Sequence, residues 1–391
     1  MSRAKQSEDE RALYAVAVQF FVNGMITASY VPRLPEIRDL LDVGLATIGQ
    51  VLTVASLGGL LGSWLAAKVI NRIGTKKSMI YGSIAVILIL PLVAQASSVW
   101  MLFTVLALIM LLDPIVDVAM NIQGSNISAR RKKPVMNRLH GLWSVGSVVG
   151  GLIASIMAVL TVSLQWHLLF TSLILSLLLL YIGSGLLSSD EVDSQNLQKG
   201  VTSTNKTSVP ISLWVFAMLG GAVFVPELIG SDWSPFRMTD DLNMSAGVGG
   251  LAYVAFTVGM VIGRLSGDWV VTLINKSQQL KYAVITAFLG LSMVCLVDLV
   301  PLVFIGLVIS GVGISVLFPT LYDIAAQDSK NAASALGAVT AGSRVFSLVI
   351  PVSIGFLADT SWLSVGVVMA VFALSSLLVV ACLAGKIHQR Q

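Results

Sequence analysis

Between residues 12 and 384 the chain is divided into twelve predominantly apolar stretches of roughly 20 residues, separated by short polar segments. That length is what an α-helix needs to cross about 30 Å of hydrocarbon at a rise of ~1.5 Å per residue. Charged residues make up 11% of the sequence, against about 25% in a soluble domain, so a water-soluble fold is excluded. The strands of a membrane barrel alternate apolar and polar residues over ~10 positions, and a run such as Leu168 to Leu187 has no alternation. The expected fold is therefore an all-α membrane protein with twelve transmembrane helices. Met1 to Arg11 is polar and charged, so the first apolar helix is expected to act as its own insertion signal. The two cysteines, Cys295 and Cys382, lie far apart inside apolar runs and offer neither a disulfide framework nor a metal site.

Basic residues set an orientation. Of the 24 Lys and Arg, only Arg33, Arg38 and Arg237 fall on the side opposite the N-terminus. Clusters at Lys68, Arg72, Lys76, Lys77 and at Arg130, Arg131, Lys132, Lys133, Arg138 mark the other side as cytoplasmic. Both termini are thus expected in the cytoplasm, with the chain in the cell inner membrane. The clusters read as topogenic charges in solvated loops, and the net charge of +4 needs no nucleic-acid partner. The longest polar stretch, residues 188–210, reads as a cytoplasmic linker between two six-helix bundles, residues 1–187 and 211–391. Ser56 to Gly62, SLGGLLG, matches Thr257 to Gly263, TVGMVIG, placing Gly58 and Gly62 on Gly259 and Gly263 in the second helix of each half. Small residues at four-residue spacing let membrane helices approach closely.

Six plus six helices, a central linker and a basic loop between the second and third helices resemble the major facilitator superfamily. The superfamily's loop signature, Gly-x-x-x-Asp-Arg-x-Gly-Arg-Arg, is approximated by Ala67 to Lys77, AKVINRIGTKK, which keeps Arg72, Gly74 and the terminal lysines. Ala67 stands for the first Gly and Asn71 for the Asp. Within the superfamily, four features resemble the fucose-permease-related branch of bacterial permeases: Asp117-Val-Ala-Met-Asn121 in helix four, His140-Gly141 opening helix five, Glu227 with Asp232-Trp233 in helix seven, and Phe318-Pro319 in helix ten. The resemblance implies two pseudo-symmetric bundles around a central cavity and alternating access by rocking of the halves. It also implies a proton-coupling role for the acid of the Asp/Glu-x-Ala-x-Asn pattern, here Asp117.

An ionisable residue near the centre of a membrane helix costs ~2.5–3.5 kcal/mol on insertion scales and is a functional candidate by default. Asp113, Asp117 and Asn121 recur every four residues on one face of helix four. Two carboxylates so close in a low dielectric cannot both stay ionised, so one of them can take up and release a proton. His140, with its ordinary pKa of ~6.5, is a further proton or hydrogen-bond partner at the start of helix five. These three are the proton-coupling candidates, with a structural bond to a neighbouring helix as the alternative. For solute binding, helix one offers Gln19 and Asn23, with Thr27 on the same polar stripe, which could equally bond helix to helix. Asn121, Glu227 beside the helix-loosening Pro226, and Arg344 near mid-depth of helix eleven complete that set. Arg344 needs an anion, either Glu227 or Asp117 or a carboxylate, phosphate or sulfonate on the solute. Arg72, together with Arg264 and Asp268 four residues apart, reads as gating or structural charge.

No phosphate-binding Gly-x-x-x-x-Gly-Lys-Ser/Thr loop and no His-Glu-x-x-His or Cys-x-x-Cys pattern occurs. No enzyme, metal or cofactor is expected. The leading reading is a monomeric secondary transporter moving a small polar, in one variant anionic, organic solute with protons in symport. An efflux antiporter for amphipathic compounds is the alternative within transport, and a non-transporting membrane sensor the alternative outside it.

Overall fold

The computed structural model describes residues 3–133, 135–187, 211–274, 276–326, 332–360 and 362–388. The linker expected at 188–210 lies outside the described residues. Among those described there is no strand, and twelve helical stretches are long and apolar enough to cross a membrane. They are built on α1 (Arg3–Ala28), α2 (Leu45–Ile73), α3 (Thr75–Ile89), α4 (Val99–Arg131), α5 (Met136–Val159), α6 (Leu164–Ile182), α7 (Ile211–Leu228), α8 (Ala246–Leu273), α9 (Lys276–Leu296), α10 (Val300–Ile314), α11 (Ala332–Thr360) and α12 (Val365–His388). Short polar residues start several of them: Ser98 Oγ accepts the Met101 amide at 3.3 Å, and Ser163 and Ser245 cap α6 and α8 in the same way. Between α2 and α3 the chain turns on Gly74, whose φ of 82° is open to glycine at little cost. That requirement explains why this position of the basic loop keeps its glycine.

The chain divides into two compact units, one of Met1–Tyr30 and Val54–Thr202, the other of Val31–Thr53 and Ser203–Gln391. Residues 31–53, which lie within the N-terminal half of the sequence, thus pack with the second unit. Thr53 donates to the Leu348 carbonyl at 2.9 Å, and Asp359 accepts the Leu45 amide at 3.3 Å.

Each unit is assembled from the same glycine contacts. In the first, a Cβ on Gly58 or Gly62 of α2 would collide with the carbonyl oxygen of Ala107 or Leu111 on α4. Adding 201 to all four numbers gives Gly259, Gly263, Val308 and Val312, and the same collisions recur between α8 and α10. Likewise Gly24 and Gly146 bring α1 and α5 together against Trp143 and Phe21, and an offset of 196 reproduces this as Gly220 and Gly342 against Val339 and Ala217 between α7 and α11. The short sequence match between the halves is therefore one visible piece of a repeated packing scheme. Packing this close is what holds membrane helices together where lipid is as apolar as leucine. Gly342→Ala must push α11 off α7 and should cost about 1–3 kcal/mol. Gly337→Ala, on the same helix with nothing within 4 Å of its Cβ, should be neutral or slightly stabilising; melting temperatures of the two variants in detergent check the contrast.

The polar contacts within the second unit gather Arg33, Arg38 and Arg237, the three basic residues expected on the side opposite the N-terminus. Beyond α7 the helix runs on through wide five-residue turns at Ile229–Trp233 and Arg237–Asp241, separated by Ser234–Phe236. Arg237 is 3% exposed and reaches Asp241 at 2.8 Å and Asp298 at 2.6 Å. Asp241 in turn accepts the Val365 and Gly366 amides at 3.1 and 2.7 Å, closing the N-terminus of α12. Arg38 pairs with Asp240 and with Asp39 and lies over the Phe236 ring, 5.6 Å from its centroid. Arg33 grips Glu36 by two bonds of 2.7 Å. All three are held by carboxylates.

Candidate functional site

Two groups of polar side chains, one in each unit, carry most of the residues singled out by sequence. In the first unit, α4 presents Asp113, Asp117 and Asn121 along one half-buried face. Pro114 sits inside this helix and removes the amide that would have bonded the carbonyl four residues earlier. Asp113 accepts a bond of 2.8 Å from Asn23 Nδ2 of α1. The amide of Asn23 is aimed by Trp143 of α5, whose indole N–H donates to Asn23 Oδ1 at 2.9 Å. Three helices thus converge on one carboxylate. One turn along, Asn121 Nδ2 donates to Asp117 Oδ1 at 3.1 Å and to the Asp117 carbonyl at 2.9 Å. His140 is exposed and meets the edge of Phe20 with ring centroids 5.2 Å apart.

The polar stripe of α1 divides. Asn23 joins the carboxylate network, whereas Gln19 is fully buried and donates to Ser83 of α3 at 2.6 Å. Gln19 therefore binds helix to helix, the alternative that its sequence position left open. Arg72 is exposed at the end of α2. Arg130 departs from the solvated-loop expectation: its Nε bonds Asp9 Oδ1 at 2.7 Å, and Glu8 lies 3.5 Å away, so it ties the start of α1 to the end of α4. Asp9 is 1% exposed, and a carboxylate so enclosed needs a cation.

In the second unit, Glu227 of α7 faces Arg264 of α8 at 3.7 Å. Glu227 follows Pro226 and precedes the wide turn at Ile229–Trp233, in which Ser231 donates to Asp232 at 2.7 Å. Asp268, expected to pair with Arg264, has a side chain outside the described residues. Arg344 is exposed on α11. A separate cavity of about 430 Å³ is lined by Arg38, Asp39, Asp240, Asp241 and Asp359 among others and includes none of the residues proposed from sequence. Sequence reasoning missed Trp143, Arg237 and Asp241. An indole one turn from His140 was a visible signal for the first, but the other two lie in the wide helical turn beyond α7, which composition does not mark.

Residues 16–351 match the model of the Major Facilitator Superfamily. The chain belongs to that superfamily. It is accordingly a multi-pass membrane transporter and not an enzyme. An uncharacterised transporter of Sinorhizobium fredii, y4wD, is 26% identical over 88% of this chain and 91% of its own length. Among solved structures, a variant of the nucleoside transporter NupG superposes with a TM-score of 0.75 at 12% identity, covering 96% of this chain and 99% of that one. The Escherichia coli fucose:proton symporter FucP superposes with a TM-score of 0.61 at 13% identity, covering 96% and 98%. At such identities the two structures establish the fold shared with this superfamily member, and its polar groups have to be read on their own chemistry.

Proposed function

We propose that this transporter carries a small polar, anionic organic solute by proton-coupled symport, with Asp117 as the proton carrier. The observation behind this reading is the pair of carboxylates one turn apart on α4, each bonded by an asparagine amide. An amide N–H bonds a carboxylate and also the carbonyl oxygen of the protonated acid, so either form of Asp117 is accommodated without rearrangement. Asp113, by contrast, is held by the Asn23–Trp143 relay and is the second carboxylate of the coupling pair. His140 at the start of α5 passes protons to the pair. Asn23 and Asn121 in the first unit and Glu227 and Arg344 in the second are the candidate solute contacts, while Gln19 supports α1 by its bond to Ser83. Arg72 and Asp268 serve as gating charges on α2 and α8.

A fucose:proton symporter among the structures of the same fold is consistent with coupled sugar-sized cargo, though the chemistry here favours an anion. Transport runs by alternating access, the termini stay in the cytoplasm, and the monomer in the cell inner membrane is the working unit. The test is a solute screen of sugars, sugar acids, carboxylates and sulfonates on proteoliposomes without an imposed pH gradient. A transported solute should raise the external pH as protons follow it inward; uptake with no pH change would overturn symport.

A further inference from the structure

One span of the second unit is interrupted along its length. α10 ends at Ile314, and a short helix, Leu317–Ala326, continues the same span to Ala325. Pro319 accounts for the break: it has no amide to offer the Ser315 carbonyl four residues earlier, and in the first turn of the new helix it needs none. The short helix carries Phe318 and Tyr322 one turn apart on one face, with ring centroids separated by 4.9 Å and planes tilted by 35°. Both are half-buried. Tyr322 Oη lies 2.6 Å from Thr340 Oγ1 of α11, and Thr340 Oγ1 itself donates to the Leu336 carbonyl at 3.1 Å. A threonine hydroxyl has a single hydrogen, so in the bond between the two side chains the phenol donates and the threonine accepts. The phenol oxygen has thereby spent its proton and keeps its capacity to accept. Thr340 and Arg344, one turn apart on α11, are both exposed within the span Ser334–Thr360. Exposed charge inside a span is stable against water and not against hydrocarbon, so this side of α11 faces an aqueous space.

We infer that Phe318 and Tyr322 form the ring subsite of this transporter, and that its solute is a hydroxyaromatic monoanion, a flat ring carrying one O–H and a carboxylate. A flat ring lies on the aromatic faces in offset stacking, which adds to what its buried apolar area contributes. Its hydroxyl donates to the Tyr322 phenol oxygen, whose own proton is committed to Thr340. One acceptor beside the rings suits one donor. A sugar would bring several hydroxyls onto the same apolar faces, and each hydroxyl left without a partner there forfeits the bond it made to water. Thr340 is a positioning residue: remove its oxygen and the phenol proton is released, so that Tyr322 can donate to a solute as well as accept from it. The assignment rests on the anionic-solute reading for its charge, whereas the ring and the donor follow from the short helix and α11.

The test is the affinity of the purified protein in detergent for 3- and 4-hydroxybenzoate, their methoxy counterparts and benzoate. One hydroxybenzoate should bind about tenfold more tightly than benzoate, and its methoxy counterpart, which has no proton to donate, no more tightly than benzoate. Tyr322→Phe keeps the ring and removes the oxygen, so it should erase the hydroxyl advantage while benzoate binds as before. Thr340→Val should narrow the gap between the hydroxy and methoxy probes by strengthening the latter, and Thr340→Ser should restore the gap. Should Tyr322→Phe fold poorly, the two Thr340 variants, which leave Tyr322 in place, decide the matter. Binding of neither hydroxybenzoate, an equal loss for all probes in Tyr322→Phe, or tighter binding of D-glucuronate than of either hydroxybenzoate would each overturn the assignment. The expected binding pattern without a solute-driven pH change in proteoliposomes would sink the symport reading and leave the ring subsite standing. A pH change driven by a solute without a ring, and unaltered in Tyr322→Phe, would do the reverse.

Discussion

Asp117→Asn is expected to abolish proton-driven accumulation while leaving the exchange of solute across the membrane intact. One pH unit is worth ~1.36 kcal/mol per proton, enough to drive about tenfold accumulation when one proton accompanies each solute. The asparagine keeps the shape of the side chain and an oxygen for the Asn121 amide, now 3.1 Å from Asp117 Oδ1. It cannot bind or release a proton. The accumulation ratio in proteoliposomes under an imposed gradient should therefore fall from about ten to about one, while counterflow of labelled against unlabelled solute continues. Asp113→Asn should act differently. Its partner, Asn23, is fixed by Trp143, so the variant retains a protonatable Asp117 but removes the neighbouring charge. Coupling then persists, because Asp117 keeps its carboxylate and its bond from Asn121. An unchanged accumulation ratio in Asp117→Asn would remove this residue from the coupling path.

Arg237→Met is expected to be the most destabilising single change outside the candidate site, at about 3–5 kcal/mol. The figure follows from what remains behind. Asp241, with 11% of its side chain exposed, loses its cation and keeps only the Val365 and Gly366 amides at the start of α12. Asp298 contributes little to the cost, since it is 84% exposed and water replaces the guanidinium there. Adding Asp241→Asn to Arg237→Met should recover part of the loss, because the stranded charge is gone; the two effects will fall well short of additive. Tryptophan fluorescence during thermal unfolding in detergent measures all three variants. A loss for Arg237→Met no larger than that of an exposed arginine such as Arg72 would show that the network is ornamental.

The repeat that organises both units bears on why the site is asymmetric. The glycines of α2 and α8 share an offset of 201, and so do their partners on α4 and α10. Applied to the acids of α4, that offset leads from Asp113 and Asp117 to Ile314 and Phe318. The packing is duplicated and the carboxylates are not. On α1, Asn23 maps by the offset of 196 onto Leu219 of α7, and the second unit places its charge instead at Glu227 and Arg264. Close helix approach depends on small residues at the crossing point alone, so it survives duplication while every exposed polar position is free to change.

The number of helices, the membrane setting and the candidacy of Asp113, Asp117, Glu227, Arg264 and Arg344 were determined by sequence alone. Apolar length, the count of basic residues and the cost of a charge in hydrocarbon are each properties of one helix considered by itself. Partnerships were decided only by the tertiary structure. Gln19 and Asn23 are one turn apart on α1, yet one is spent on Ser83 and the other reaches Asp113. Arg130, indistinguishable in composition from the basic residues around it, closes on the enclosed Asp9, and Arg264 stands against Glu227 from another helix. Such outcomes depend on the rotation of each helix about its own axis, and that rotation is fixed jointly by all its neighbours through the glycine contacts. Periodicity along a single chain holds no record of it.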